Sequence, residues 1–331
     1  MRARILAATV AGVLICSVGN LAGDDGDLRV TFLGTGAPRP SFERYGPSIL
    51  IEAGEERLLV DASWGLRERL LQAGSFELIT GIDHVLLTHL HYDHTIGLAD
   101  LWLTGWLYGR RVPLRVEGPT GTRAFLEDTR RAFQWDVDYR ILVGVPAEGV
   151  AIEAMDVSPG WVYEHNGLKI TAFEVEHLPI DLKTRERLEF AGETLGYRID
   201  FNGHSVVLSG VTRPSDRLVE QARGVDLLVH EVQVPSPGAT KEANLANVSL
   251  SVHSEPEAVA RIFERARPKL AVYSHIIPPE VTSEELVEAT PYDGRMVVAH
   301  DLMMITIGED VVVSDRPRLM EESFEKSRVL R

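Results

Sequence analysis

The hydrophobic pattern of the chain predicts short strands that alternate with helices in two successive series. Runs of β-branched residues indicate strands, and apolar residues at helical spacing indicate helices. In the first series we predict a helix over 66–73 and strands over 28–32, 48–51, 57–60 and 84–88. In the second series we predict helices over 214–222 and 255–266, and strands over 168–173, 194–200, 204–208, 225–230, 270–274 and 296–307. Ser254 and Glu257 have the spacing of a capping box for the last helix. This order predicts an α/β layered architecture.

The two ends of the chain differ from the region between them. Residues 1–4 form a short basic start, 5–18 form an apolar run of 14 residues, and Ser17 and Gly19 offer small residues at the positions of a cleavage site. This pattern predicts a signal peptide over 1–19 and an exported protein, periplasmic or secreted. A membrane anchor is the alternative, but roughly 20 apolar residues are needed to span a bilayer, so we expect no stable anchor. A single domain is predicted over 28–310, followed by a charged tail over 311–331.

The composition is that of an acidic globular protein. The 331 residues are 44% hydrophobic, and 34 basic against 49 acidic residues give a net charge of −15. This charge argues against a protein that binds a phosphate backbone through a basic surface, so we do not expect nucleic acid as a partner. Cys16 is the single cysteine and lies in the predicted signal peptide. The predicted mature chain therefore has no disulfide, cysteine nucleophile or cysteine metal ligand.

The strongest chemical signal is the segment 88–94, THLHYDH, which directly follows a predicted strand. Side chains alternate in extended chain, so His89 and His91 point the same way, and a turn into a helix brings Asp93 and His94 to the same point. Three imidazoles and a carboxylate are costly to bury unless they bind something or pair with each other. Their mixture suits zinc, so the segment predicts a metal site at a strand end.

This motif resembles the metallo-β-lactamase superfamily of metallohydrolases, together with Gly34-Thr35-Gly36 and Leu59-Val60-Asp61 upstream. Five later segments are similar to the ribonuclease Z and arylsulfatase branch in order and spacing: 113–122, 176–177, 196–199, 253–254 and 273–275. The resemblance implies a four-layer αββα sandwich of two mixed β-sheets flanked by helices. It also implies that the metals lie at one edge, between the two halves of the fold.

The resemblance implies two groups of metal ligands. His89, His91 and His177 would bind one zinc ion. Asp93, His94 and His275 would bind the second. Both His177 and His275 also follow apolar strands, as His89 does, which agrees with ligation. We therefore expect zinc as the cofactor, in one or two ions, with manganese or iron as alternatives.

His253 and Asp93 are the catalytic candidates. His253 resembles the histidine that ribonuclease Z relatives place over the metals, where an imidazole could donate a proton to the leaving oxygen. A surface histidine beside a helix is the alternative. The resemblance gives His230 and Glu231 a supporting role. The other histidines are expected to be structural: His84, His165, His204 and His300.

The reaction that this site implies is hydrolysis by a zinc-bound hydroxide, which needs no protein nucleophile. Relatives that process tRNA usually carry a long arm after the Gly-Tyr-Arg strand, but only about ten residues separate Ile199 from Ser209 here. Together with export and the acidic charge, this predicts a hydrolase of a small-molecule ester, arylsulfatase-like and acting on a sulfate ester or phosphodiester.

Several alternatives stay open at this point. A lactonase or β-lactamase activity uses the same chemistry, and a non-catalytic metal-binding relative would keep the fold without turnover. Homodimers are frequent among relatives, so a homodimer is one expectation. Three aromatic residues after the motif could line a substrate pocket or pack in the core: Trp102, Trp106 and Tyr108.

Val211 departs from the pattern of the family. In relatives the matching turn reads Ser-Gly-Asp-Thr, and its aspartate bridges the two metals. Valine removes one negative charge and one shared ligand, although Asp216 and Glu231 lie nearby in sequence. Our hypothesis is one firmly bound zinc on the three histidines and a second that is exchangeable or absent, with impaired activity. It predicts fewer than two metals per chain, and that Val211→Asp raises occupancy and hydrolysis.

Overall fold

The computed structural model describes residues 26–177, 184, 193–235 and 252–315. The predicted signal peptide over 1–19 lies outside the described residues, as does the predicted tail after residue 315. Within the described ranges, no helix has the length and apolar character needed to cross a membrane.

The described strands form two mixed sheets. The strands of the first sheet are β1 Leu28–Gly34, β2 Ser48–Ala53, β3 Glu56–Val60, β4 His84–Leu86, β5 Leu114–Gly118, β6 Ile152–Asp156, β14 Met303–Ile307 and β15 Val311–Asp315. Those of the second sheet are β7 Val162–His165, β8 Leu168–Glu174, β9 Leu195–Phe201, β10 His204–Leu208, β11 Leu227–Gln233, β12 Leu270–Ile277 and β13 Met296–Val298. The spatial orders are β15-β14-β1-β2-β3-β4-β5-β6 and β13-β12-β11-β10-β9-β8-β7.

The two sheets share one plan. In the first sheet, β15 to β3 pair antiparallel and β3 to β6 pair parallel. In the second sheet, β7 to β10 pair antiparallel and β10 to β13 pair parallel. The carboxyl ends of parallel strands meet at one edge of a sheet, which is where open α/β sheets place their sites.

Helices cover the outer face of each sheet. The first sheet carries α1 Leu66–Gly74, α2 Phe76–Gly81, α3 Tyr92–Thr95, α4 Leu98–Tyr108, α5 Thr122–Ala132 and α6 Gln134–Leu142 along its half of the chain. The second half carries α7 Asp216–Gln221, α8 Pro256–Ala266 and α9 Ser283–Ala289.

Three buried clusters separate these four layers. The central cluster joins side chains of both sheets, such as Val30 and Ile199. A second cluster packs the first sheet against its helices through residues such as Leu70 and Trp106, and a third, including Phe263, does so for the second sheet. Full burial of one large apolar side chain stabilises the fold by about 1.5–3 kcal/mol. The predicted αββα sandwich is confirmed.

The predicted strand over 296–307 is wrong as a single element. The chain forms β13 in one sheet, crosses between the sheets, and forms β14 in the other. The crossing contains the buried Asp301, whose carboxylate accepts hydrogen bonds from the Thr35 backbone N–H at 2.9 Å and from Arg69 at 2.9 Å. The hydrogen bonds of Asp301 with these distant partners end the strand, although the apolar pattern of the sequence predicts that the strand continues to residue 307.

Two other boundaries differ from the predictions. Residues 311–315, predicted as tail, form β15, which pairs antiparallel with β14 from Met303↔Asp315 to Ile307↔Val311, so the folded region extends beyond 310. The capping box of α8 is not formed, because Glu255 is the N-cap residue and makes no side-chain cap bond. Ser254 instead donates its hydroxyl to the Thr212 carbonyl at 2.8 Å.

Candidate metal centre

The segment after β4 carries four of the predicted ligands. Beyond Leu86 the backbone leaves the sheet but stays fixed, because the Leu87 N–H donates to the Glu117 carbonyl at 2.8 Å. His89 and His91 follow, and the His91 backbone is extended. The short helix α3 begins at Tyr92 and turns Asp93 and His94 into the interior, where both are buried.

Three histidines form the first group. The donor atoms of His89, His91 and His177 lie within 4.8 Å of one another. His91 Nδ1 is 2.9 Å from His89 Nε2 and 3.3 Å from His177 Nε2. Two nitrogens bound tetrahedrally to one zinc at about 2.0–2.1 Å would lie about 3.3 Å apart, so the spacing of the group is close to that of a metal site.

Asp93, His94 and His275 form the second group, whose donor atoms also lie within 4.8 Å of one another. Asp93 Oδ2 is 3.5 Å from His94 Nε2 and 3.7 Å from His275 Nε2. Among the described residues, Asp93 Oδ2 and His94 Nε2 are buried without a hydrogen-bond partner. Leaving such atoms unpaired costs about 1–3 kcal/mol each, so the group fits a divalent cation.

Asp61 is a site residue that the sequence analysis did not assign. It follows β3, and its Oδ2 lies 2.7 Å from His94 Nδ1. The same carboxylate accepts hydrogen bonds from the Thr88 backbone N–H at 2.8 Å and from the Thr88 hydroxyl. A carboxylate on Nδ1 orients the ring, so that Nε2 faces the metal side. The motif Leu59-Val60-Asp61 was a signal of the family, but nothing in it indicated which side chain Asp61 contacts.

Burial keeps most of the imidazoles of the centre neutral. It lowers the pKa of His89, His91 and His275, and lowers that of His177 to about 2. For His94, burial acts to lower the pKa, but the charge and hydrogen bond of Asp61 outweigh it, so the pKa is raised. A metal binds deprotonated ligands, and neutral imidazoles meet that requirement.

Asp93 is ionised in this environment. Burial acts to raise the pKa of its carboxyl, but the contact with His275 and the charges of His94 and His275 outweigh burial and lower the pKa to about 2. The second group therefore contains an anionic oxygen at neutral pH.

His253 lies beside both groups. Its ring centroid is 5.1 Å from that of His177 and 5.8 Å from that of His275. Its Nδ1 lies 3.2 Å from Glu231 Oε2, and Glu231 Oε1 accepts a hydrogen bond from the Ser254 backbone N–H at 2.8 Å. The structure thus brings the predicted His253 to the centre and gives Glu231 the supporting contact that was expected. Glu231, His253 and His275 also have donor atoms within 4.8 Å of one another.

Val211 is buried at the same place. It lines a cavity of about 40 Å³ together with Asp61, His94, Glu231 and His275. Its methyl groups offer no metal ligand. Asp216, the other acidic residue considered nearby, is 82% exposed and pairs with Arg265 at 2.7 Å, so it lies outside the centre.

The remaining candidates lie elsewhere. Trp102 and Trp106 are buried in α4 and donate their indole N–H groups to the Val150 and Pro146 carbonyls, which makes them core residues. Tyr108 is exposed and contacts Phe76. Three of the histidines expected to be structural pair with acidic residues away from the centre: His84 with Glu117, His165 with Glu56 and His300 with Asp315.

Comparison with known proteins identifies the family. Residues 56–276 match the β-lactamase superfamily domain. The chain belongs to this superfamily. It is 32% identical over 292 residues to ribonuclease Z of Mycobacterium bovis (strain BCG / Pasteur 1173P2), which covers 85% of this chain and 98% of that protein. This places it in the ribonuclease Z-like branch of the superfamily.

Several solved structures share the fold. The metallo-β-lactamase fold protein YhfI from Bacillus subtilis has a TM-score of 0.63 at 19% identity, covering 85% of this chain and all of that one. The short form of human tRNase Z has a TM-score of 0.62 at 22% identity, covering 85% and 99%. Zn²⁺-bound PqqB from Methylobacterium extorquens has a TM-score of 0.53 at 18% identity, covering 87% and 99%.

These relatives correct one prediction. The expectation of a small-molecule ester as the partner, with nucleic acid unlikely, is wrong, because the similar proteins are a ribonuclease Z and a tRNase Z. The arylsulfatase-like assignment has no support from them either. The prediction rested on the short connection between Ile199 and Ser209, on the expected export and on the net charge of −15. The net charge describes the whole chain and says little about the local field at one metal centre.

Proposed function

We propose that this superfamily member is a metal-dependent phosphodiester hydrolase that acts on RNA. The observation that carries the proposal is the 32% identity to a ribonuclease Z over 98% of that protein, in a chain that also brings the two ligand groups together. The metal that we propose is zinc, since the donor set of five histidines and one carboxylate suits it.

In the proposed reaction, the residues of the chain orient the metal ligands and leave the centre accessible to substrate. The two ligand groups would hold divalent ions, which would supply Lewis-acid catalysis and lower the pKa of bound water. Asp61 holds Nδ1 of His94, and the Val252 carbonyl holds Nδ1 of His177 at 2.9 Å, so both rings present Nε2 to the centre. His91 is the exposed member of the first group, which leaves the centre open to substrate on that side.

The test uses the purified full chain with zinc or manganese and two substrates, a tRNA precursor with a 3′ extension and bis-p-nitrophenyl phosphate. We expect hydrolysis of both, and we expect His91→Ala and Asp93→Ala to reduce turnover to the level of the metal-free protein. His165→Ala is the matched control, because its exposed ring pairs with Glu56 away from the centre. The proposal would be overturned if the metal-loaded protein hydrolysed neither substrate.

A further inference from the structure

We infer that Asp301 is a positioning residue of the metal centre, which acts through Thr35 on the backbone that carries His275. Asp301 lies in the crossing between β13 and β14, outside both ligand groups. Its role concerns the binding of the metal, so it does not depend on which phosphodiester the chain cleaves.

The ring of His275 is not held as two other predicted ligands are held. Nδ1 of His94 lies 2.7 Å from the Asp61 carboxylate, and Nδ1 of His177 lies 2.9 Å from the Val252 carbonyl. Among the described residues, His275 Nδ1 is buried and has no hydrogen-bond partner. A partner on that nitrogen is what usually fixes the orientation of a ligating imidazole. The orientation of His275 therefore depends on its backbone.

The backbone at His275 is irregular. The register of β12 against β11 shifts by one residue here, between the pairs Tyr273↔His230 and Ile276↔Val232. An extra residue of this kind bends a strand and redirects a side chain. His275 accommodates it with a φ of 47°, a conformation that persists only where the surroundings of the residue hold it.

The contact that holds this irregularity comes from the other sheet. The backbone N–H of Ile276, directly after His275, donates to the Thr35 carbonyl at 3.0 Å. Thr35 follows β1 of the first sheet. The position of Thr35 therefore determines where the backbone passes after His275 and, with it, where the imidazole points.

Asp301 fixes the position of Thr35. Its Oδ1 accepts hydrogen bonds from the Thr35 backbone N–H at 2.9 Å and from the Thr35 hydroxyl at 2.8 Å. Its Oδ2 accepts from the Tyr45 backbone N–H at 2.8 Å and from Arg69 at 2.9 Å. An amide in place of this buried carboxylate has one accepting oxygen, so it satisfies the donors on one side only. Asp301→Asn should therefore release Thr35 or the groups opposite it.

The experiment measures metal binding by the full chain, so its outcome is separate from RNA cleavage. Cobalt(II) titration of the metal-free protein, followed by visible absorption, gives the dissociation constant of each ion and the spectrum of each site. Amide hydrogen exchange reports how often the Ile276 N–H is released. Circular dichroism verifies that each variant is folded.

Two variants test the inference and two serve as controls. Asp301→Asn changes the carboxylate, and Thr35→Val removes the hydroxyl that it accepts from. Thr35→Ser keeps that hydroxyl and is the matched control for Thr35→Val. Trp106→Ala is the control for lost stability, because Trp106 packs between the first sheet and its helices.

We expect Asp301→Asn to raise the dissociation constant of one ion by about 10-fold and to leave the other unchanged, because only the second group contains His275. The spectrum of the weakened site should change. Exchange at Ile276 should become faster, while exchange at 270–273 of the same strand stays the same. Thr35→Val should act in the same direction with a smaller effect. Thr35→Ser and Trp106→Ala should bind both ions as the unmodified chain does.

Three results would overturn the inference. In the first, every ion binds a folded Asp301→Asn with the affinity of the unmodified chain. In the second, both ions are weakened equally, which indicates a general effect on the fold. In the third, exchange at Ile276 does not change. If Asp301→Asn does not fold, the comparison of Thr35→Val with Thr35→Ser decides by the same criteria.

Discussion

Two residues of the metal centre hold backbone conformations that side chains rarely adopt. Asp61 has a φ of 61° and His275 a φ of 47°, both in the left-handed region. Such a conformation costs about 1–3 kcal/mol and persists where the surroundings determine it. At Asp61 the surroundings are the hydrogen bonds with Thr88 and His94, so the strain is tied to orienting a ligand.

Removal of the Asp61 carboxylate should weaken metal binding. We expect Asp61→Ala to raise the dissociation constant of the ion on the second group by about 10–100-fold, because His94 loses the partner of its Nδ1. Isothermal titration with zinc measures the effect. Asp61→Asn, which keeps one carbonyl acceptor, should show a smaller change. Equal affinities of Asp61→Ala and the unmodified chain would contradict the role of Asp61.

At the level of single residues, the sequence predicted most of the side chains of the metal centre. His89, His91, Asp93 and His94 were predicted from spacing alone, because extended backbone and a following helix turn determine where neighbouring side chains point. The contact of Asp61 with His94 could not be predicted, since it joins residues 33 positions apart. The resemblance implied a supporting role for Glu231, but nothing in the sequence indicated that its partner is His253. Such contacts depend on which strands become neighbours.

A cluster around the buried Glu117 joins β5 to β4. Glu117 of β5 lies 2.7 Å from His84 of β4 and 2.7 Å from Arg115. Burial acts to raise the pKa of Glu117, but these partners outweigh burial and lower it. Because β4 leads into His89, this cluster supports the element on which the centre is built.

The free energy of unfolding should depend on pH through the ionisation of Glu117 in this cluster. A lowered pKa in the folded state means that Glu117 stabilises the fold above its unfolded pKa, and that this contribution is lost as pH falls through the folded pKa. We expect Glu117→Gln to lower the free energy of unfolding by about 1–3 kcal/mol at pH 7. The difference from the unmodified chain should shrink as the solution is acidified. Urea unfolding at several pH values measures it, and a constant difference would contradict the assignment.

The aromatic residues of helix α4 were predicted either to pack in the core or to line a substrate pocket. Trp106 is fully buried among the helices of the first sheet. We expect Trp106→Ala to lower the free energy of unfolding by about 3–5 kcal/mol. The relative turnover of aryl and RNA phosphodiesters by the folded variant should stay unchanged. A selective loss of aryl substrate turnover would instead support a substrate pocket.

Two features at the ends of elements were predicted wrongly from the sequence pattern. The run 296–307 is apolar enough to predict one strand, yet Asp301 bonds to Thr35, 266 positions away, and the chain changes sheet there. Ser254 was predicted to cap α8, but its hydroxyl binds the Thr212 carbonyl beside the centre. In both cases a tertiary contact outweighs the local preference.

In the whole molecule, the centre lies where the two sheets are tied together. Tyr197 of β9, in the second sheet, donates its hydroxyl to the Leu87 carbonyl at 2.7 Å, next to the segment that carries His89. The resemblance implied two sheets with metals at one edge, but this cross-sheet contact could not be predicted because it depends on the packing of the sheets. The predicted export signal over 1–19 stays a prediction.

Loss of the Tyr197 hydroxyl should affect both stability and metal binding. We expect Tyr197→Phe to lower the free energy of unfolding by about 1–3 kcal/mol and to weaken zinc binding at the first group. Thermal unfolding and zinc titration measure the two effects. Tyr163→Phe, on β7 at the edge of the second sheet, is the control and should leave zinc binding unchanged. Unchanged zinc affinity in Tyr197→Phe would show that the contact supports the fold alone.

The tight turn between β9 and β10 carries no arm with which the protein could contact phosphates of an RNA. Phe201 pairs directly with His204, so only Asn202 and Gly203 form the connection and nothing projects from it. Each phosphate that a protein neutralises releases condensed counterions, with a slope of log affinity against log salt of about −0.7 on single strands. We expect a slope no steeper than about −2, that is, about three phosphates. The proposed cleavage of RNA should therefore persist at salt concentrations that release proteins which hold RNA by many phosphates.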